Sequence, residues 1–116
     1  MFTYDEFKKD IKTVHSFKNC PVLQALEILN GKWTPRIIFE LQKRESVRFG
    51  TLKSNLNGIT NTMLSSTLKS LENNGIIVRK QYDEIPVRVE YSLTECGRDM
   101  LPIFYEIAKW GRKYSS

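Results

Sequence analysis

The sequence predicts a mainly helical fold carrying one small β-hairpin, a winged helix-turn-helix. Three observations lead there. Apolar residues recur at spacings of three and four along most of the chain. A brief helical segment and a longer one are separated by the turn dipeptide Asn57-Gly58. Directly after the longer one, the period changes from helical to alternating. At 116 residues, the chain suits one domain spanning residues 1–116.

The first element covers residues 4–14, where Tyr4, Phe7, Ile11 and Val14 make one face of a helix apolar. The second begins at Cys20-Pro21, carries Val22, Leu23, Ala25, Leu26, Ile28 and Leu29, and ends at Asn30-Gly31. Pro21 suits a first helical position and Gly31 a left-handed C-terminal cap. Thr34-Pro35 repeats the start signal for a third helix with Ile37, Ile38 and Leu41, and the two short helices so joined form a compact pair. Val47-Arg48-Phe49 is a short extended stretch, followed by a brief helix holding Leu52 and Leu56. After the turn, Thr60 caps a longer helix with Leu64, Leu68 and Leu71 on one side, stopped by Asn73-Asn74-Gly75.

Short helix, turn and second helix form the helix-turn-helix. In the hairpin, Ile76, Val78, Lys80 and Tyr82 share one side of the first strand. Val87, Val89, Tyr91 and Leu93 share one side of the second, and Asp83-Glu84-Ile85-Pro86 connects the two. Thr94 caps a final helix with Met100, Leu101, Phe104, Ile107 and Ala108, which Pro102 kinks or divides.

Eighteen Lys and Arg against thirteen Asp and Glu leave a net charge of +5, which favours a polyanionic partner, nucleic acid first. No apolar run is long enough to span a membrane and no secretory signal is visible, so the expected compartment is the cytosol, with both cysteines reduced. The single histidine, His15, lies in a polar stretch and reads as a surface residue. It leaves little room for a Ser-His-Asp, Cys-His or multi-histidine site. There is no glycine-rich phosphate loop, no paired-carboxylate motif and no zinc-ligand spacing. An enzyme, a metal and a cofactor are therefore not expected.

The chemistry falls on the second helix of the motif. Opposite its leucines stand Thr62, Ser65, Ser66 and Lys69, with Thr60 and Asn61 at the N-terminus and no carboxylate until Glu72. Short hydrogen-bonding side chains let a helix approach the major groove closely, and Asn61 suits bidentate pairing with adenine. Serine and threonine are mediocre helix formers, so a helix serving structure alone would favour Glu, Lys and Ala here. Arg79, Lys80 and Arg88 on the hairpin would grip the sugar-phosphate backbone, with Arg48, Lys53 and Lys32 adding contacts from the body. A winged helix serving only as a protein-interaction module is the alternative, and insensitivity to salt and to DNA would distinguish it.

Cys20 precedes Pro21 at a helix start, where the dipole and free amide groups favour an anionic sulfur and Lys18 adds to that. A small buried hydrophobe is the other reading. Cys96, beside Glu95, reads as structural.

Taken together, Cys20-Pro21, Asn30-Gly31-Lys32-Trp33, Arg48-Phe49 with Leu52, Ile59 to Leu64, Leu68 to Glu72 and Val89-Glu90-Tyr91-Ser92-Leu93-Thr94 strongly resemble the HxlR-type transcriptional regulators. So do Gly97 and Leu101-Pro102, and the match covers about residues 15 to 112. The resemblance implies a MarR-like winged helix-turn-helix working as a homodimer on a pseudo-palindromic stretch of double-stranded DNA. It places the dimer interface on the first and last helices, here Tyr4, Phe7 and Ile11 with Phe104, Ile107, Ala108, Trp110 and Tyr114. It also makes Cys20 a candidate sensor of a small electrophile or oxidant. The chain departs from the family in having Ile85-Pro86 where two prolines are often found. It also has Asn61, Thr62 and Thr67 where basic or long polar side chains are common, and no second cysteine near that helix.

Overall fold

The computed structural model describes residues 2–13 and 20–115, so Val14, His15 and Lys18 lie outside the described residues. The chain divides into two units, Met1–Asn30 and Gly31–Ser116.

In the first unit, α1 (Tyr4–Asp10) opens on a reciprocal cap. The Glu6 backbone N–H donates to Thr3 Oγ1 at 3.1 Å, and the Thr3 N–H donates to the Glu6 carboxylate at 3.4 Å. The helix is shorter than its apolar spacing suggests, because residues 11–13 form a turn in which the Thr13 hydroxyl donates to the Asp10 carbonyl at 2.9 Å. Helix α2 (Pro21–Ile28) has Cys20 as its N-cap and Pro21 in its first turn, as the sequence indicates. It ends one residue before Leu29. No residue of either helix is buried.

The second unit holds the core. Its elements are α3 (Thr34–Leu41), β1 (Val47–Arg48), α4 (Phe49–Asn55), α5 (Asn61–Asn73), β2 (Ile77–Tyr82), β3 (Arg88–Leu93), α6 (Glu95–Arg98) and α7 (Leu101–Tyr114). The hairpin of β2 and β3 gains a third strand, in the order β1-β3-β2, with both pairings antiparallel. Phe49 belongs to α4 rather than to the extended stretch, since Arg48, with ψ 156, is already the helix N-cap. Val87 falls in the connection, and β3 starts at Arg88. Pro102 sits in the first turn of α7, so the final helical stretch is divided into α6 and α7.

Ile37, Ile38 and Leu41 from α3, Leu52 from α4, Leu64, Leu68 and Leu71 from α5, and Ile77 from β2 are almost wholly buried. Each such side chain contributes roughly 1.5–3 kcal/mol by leaving water. Three of them lie on α5, which fixes that helix in rotation and sends its opposite face outward.

A polar clamp closes the unit behind α5. Thr94 caps α6 by accepting the Gly97 N–H at 3.2 Å, and its hydroxyl lies 2.7 Å from the Gly75 carbonyl and 3.1 Å from that of Ile76. Arg98 donates to the carbonyls of Leu41, Arg44 and Glu45 at the end of α3.

Candidate nucleic-acid interface

Helix α5 is built by local rules. Asn57-Gly58 turns the chain with Gly58 at φ +92, a conformation that favours glycine. Thr60 then caps the helix by accepting the Met63 N–H at 3.1 Å. Asn61, Thr62, Ser65, Ser66 and Lys69 are all exposed, and Thr60 is exposed as the cap. Ser66 turns its hydroxyl back to the Met63 carbonyl at 3.2 Å. Lys69 carries a loose pair with Glu72 at 3.7 Å and stays largely in solvent.

Sequence reasoning passed over Met63. It is 45% exposed on the N-terminal turn of α5, and it shares a stripe with Ser66 and Ser70 at helical spacing. The signal was there: Met63 falls outside the Leu64-Leu68-Leu71 stripe.

The strand register separates the cations of the wing. Arg79 pairs with Tyr91, while Arg48 and Lys80 both pair with Glu90 from either side. Side chains alternate along a strand, so Arg79 lies on one face of the sheet and Arg48, Glu90 and Lys80 form a row on the other. Arg79 is the one that meets α5. A cleft of about 280 Å³ is lined by Ser65, Lys69, Glu72, Arg79 and Tyr91, bringing three of the expected contact residues together. Lys80 stands with its ammonium 4.9 Å from the Tyr82 ring centroid. Lys53 is half-buried on α4.

Arg88 is engaged inside the hairpin. Its Nε lies 3.2 Å from a Glu84 carboxylate oxygen and 3.2 Å from one of Glu90, and its guanidinium sits 3.9 Å from the Tyr82 ring centroid. Glu90 in turn accepts from the Ser46 hydroxyl at 2.7 Å. Residues 88 and 90 share a face by strand periodicity, which is the signal for this pairing.

Cys20 is half-buried at the N-cap of α2. It lines an apolar cleft of about 570 Å³ between α1 and α2 with Phe7, Ile11, Val22 and Ala25. Tyr4 and Ile11 are exposed and Phe7 half-buried. On α7, Ile107, Ala108, Trp110 and Tyr114 are exposed, whereas Phe104 is half-buried and packs edge-on to Phe39 at 5.3 Å. Among the described residues no cluster of three or more His, Cys, Asp or Glu could hold a metal ion, and no helix is long and apolar enough to cross a membrane.

The model of the HxlR-like helix-turn-helix family matches residues 28–116, which take in the helix-turn-helix, the wing and both final helices. The chain belongs to the HxlR-like family. A helix-turn-helix-type transcriptional regulator of Halalkalibacterium halodurans is 39% identical over 108 residues, covering 93% of each chain. The crystal structure of a MarR-family transcriptional regulator from Porphyromonas gingivalis W83 superposes with a TM-score of 0.80 at 46% identity, covering 87% of this chain and 98% of that one. The redox regulator HypR in its oxidised form superposes with a TM-score of 0.75 at 35% identity, covering 84% and 99%. This HxlR-like chain is thus a transcriptional regulator of the helix-turn-helix type, and its three-stranded sheet with α5 is the winged motif of those neighbours.

Proposed function

We propose that this HxlR-like regulator binds a pseudo-palindromic operator as a homodimer, each protomer laying α5 in the major groove. The observation that carries this reading is the exposed, carboxylate-free face of α5 from Asn61 to Lys69, held outward by three buried leucines. Asn61, Thr62, Ser65 and Ser66 reach base edges, while Lys69 and Arg79 hold phosphate from the shared cleft. Lys80, Arg48 and Lys53 add sequence-independent attraction. Arg88 organises the wing from within.

Two half-sites need two copies, and the exposed apolar surface supports that. Neither α1, α2 nor α7 buries a residue in the single chain, yet Tyr4, Ile11, Ile107, Trp110 and Tyr114 are each at least half exposed. Faces of this kind mark association surfaces.

The Cys20 thiol is the proposed switch. It borders an apolar cleft that suits a small electrophile or oxidant, and the neighbour HypR is a redox regulator.

The test is fluorescence anisotropy of a labelled duplex from the gene's own upstream region against a scrambled duplex, across a salt series. Binding that weakens steeply with salt and discriminates the two by about a hundredfold or more is expected. Equal, weak binding to both would overturn the operator reading and favour a winged helix that serves a protein partner. Cys20→Ser should bind the duplex normally and ignore an added quinone or diamide. A Cys20→Ser protein still released by those reagents would remove the thiol from the switch.

A further inference from the structure

A second cationic site lies where the start of α3 meets the turn that leads into α5. A cleft of about 270 Å³ is lined by Trp33 and Arg36 at the start of α3, and by Asn55, Leu56 and Asn57 at the end of α4 and the turn that follows. Trp33 is half-buried, and its indole carries two cations. Lys32 Nζ is 4.8 Å from the ring centroid and the Arg36 guanidinium carbon 5.4 Å. Lys32 and Arg36 are both exposed, and neither is paired with a carboxylate among the described residues. The acid on the cleft wall, Glu40, is already bound to Lys43 at 2.7 Å. Arg36 on the cleft wall and Lys32 over the Trp33 ring are therefore two uncompensated positive charges, and the cleft adds the exposed Asn55 and Asn57 amides.

From this geometry we infer that the Lys32–Trp33–Arg36 shelf seats a backbone phosphate of the duplex, distinct from the phosphate at the Arg79 cleft. The inference rests on the operator-binding reading. Asn57 stands three residues before Thr60, the cap of α5. A helix whose first turn enters a major groove about 12 Å wide has a phosphate wall on either side. The Ser65–Lys69–Arg79 cleft meets one wall, and the residues around the turn leading into α5 meet the other. Trp33 is the positioning residue: the ring holds both cations over its surface and narrows their rotamers, so less freedom is lost when the phosphate arrives. Phosphate is the chemical class because a guanidinium, an ammonium and two amides offer donors and no negative charge.

The experiment compares salt slopes of duplex binding for the wild type, Lys32→Gln, and Lys32→Gln with Arg36→Gln. Each lost phosphate contact lowers the slope of log K against log salt by about one. The single variant should therefore lose about one unit of slope and the double variant about two. Affinity for the upstream and the scrambled duplex should fall by the same factor. Lys32 lies outside any helix, so its variant folds and decides the matter even where the double variant is destabilised. Trp33→Phe, which keeps an aromatic face, should retain the slope, while Trp33→Leu should lose affinity. Wild-type slopes in both glutamine variants overturn the shelf and leave operator binding standing. A wild type whose binding to either duplex does not depend on salt removes the operator reading and the shelf with it.

Discussion

Arg88 and Glu90 share one face of β3, with Arg88 Nε 3.2 Å from the Glu90 carboxylate. The same nitrogen is 3.2 Å from Glu84 across the hairpin connection, and the guanidinium covers the Tyr82 ring. A cation placed between two carboxylates is electrically spent. The expected effect of Arg88 on duplex binding therefore runs through the shape of the wing. Arg88→Gln should leave the salt slope of duplex binding near that of wild type, whereas Arg79→Gln should lower it by about one. The half-buried pair should also cost about 1 kcal/mol of stability when broken, read by urea denaturation. A slope that falls equally in both variants would place Arg88 on the phosphate.

Gly97 is required by a close approach rather than by its backbone angle. A Cβ built there would lie 2.6 Å from the Ile76 carbonyl oxygen and 2.7 Å from Leu93 Cδ2. The carbonyl belongs to backbone that also receives the Thr94 hydroxyl, so it cannot retreat cheaply. Gly97→Ala should destabilise the protein by about 1–3 kcal/mol, seen as a lower urea midpoint. Gly50→Ala, where an added Cβ meets nothing within 4 Å, should change stability by less than about 1 kcal/mol.

Much of the fold was legible because its punctuation is chemical. Pro21, Pro35 and Pro102 fall in first turns, and Gly31, Gly58 and Gly75 take positive φ where the chain reverses. The exposed polar face of α5 was legible for the same reason, since the leucine spacing fixes the helix rotation. What escaped was everything set by pairing across the chain. The register that sends Arg79 toward α5 and Lys80 away depends on which residue faces Tyr91, and no local pattern records that. The closing of Glu84 onto Arg88 depends on the path of the connection. The apolar run in α2 reads like core, yet Leu26 is 57% exposed in the single chain. Apolarity states that a surface wants cover, and does not state what covers it.

Ser66 tests the reading helix with little structural consequence. Its side chain is exposed and makes one local bond to the Met63 carbonyl. Ser66→Glu should alter stability by about 0.5 kcal/mol or less. A carboxylate brought against the duplex phosphates should weaken binding by on the order of a hundredfold, since like charges across an interface cost several kcal/mol. Anisotropy against the upstream duplex and thermal melting of the free protein separate the two effects. Undiminished affinity would remove α5 from the interface.

Helix α7 carries the dimer reading most directly. Ile103, Ile107, Trp110 and Tyr114 recur at four, three and four residues, so one stripe of the helix is apolar over its whole length. Ile107 is 58% and Trp110 66% exposed, and Trp110 touches only its helical neighbour Tyr114 among the described rings, at 5.4 Å. A glutamate at Trp110 gives up the Tyr114 ring contact on a largely exposed helix face, and a monomer should tolerate it. Between two apolar faces it would be buried without a partner, which is costly. Trp110→Glu should shift the sedimentation coefficient to that of a 13.6 kDa monomer with its far-UV spectrum unchanged. Operator affinity should fall by about tenfold or more as the two half-sites become independent. Scrambled-duplex binding per protomer, which needs no second copy, should change far less. A variant that still sediments as a dimer would move the interface off α7.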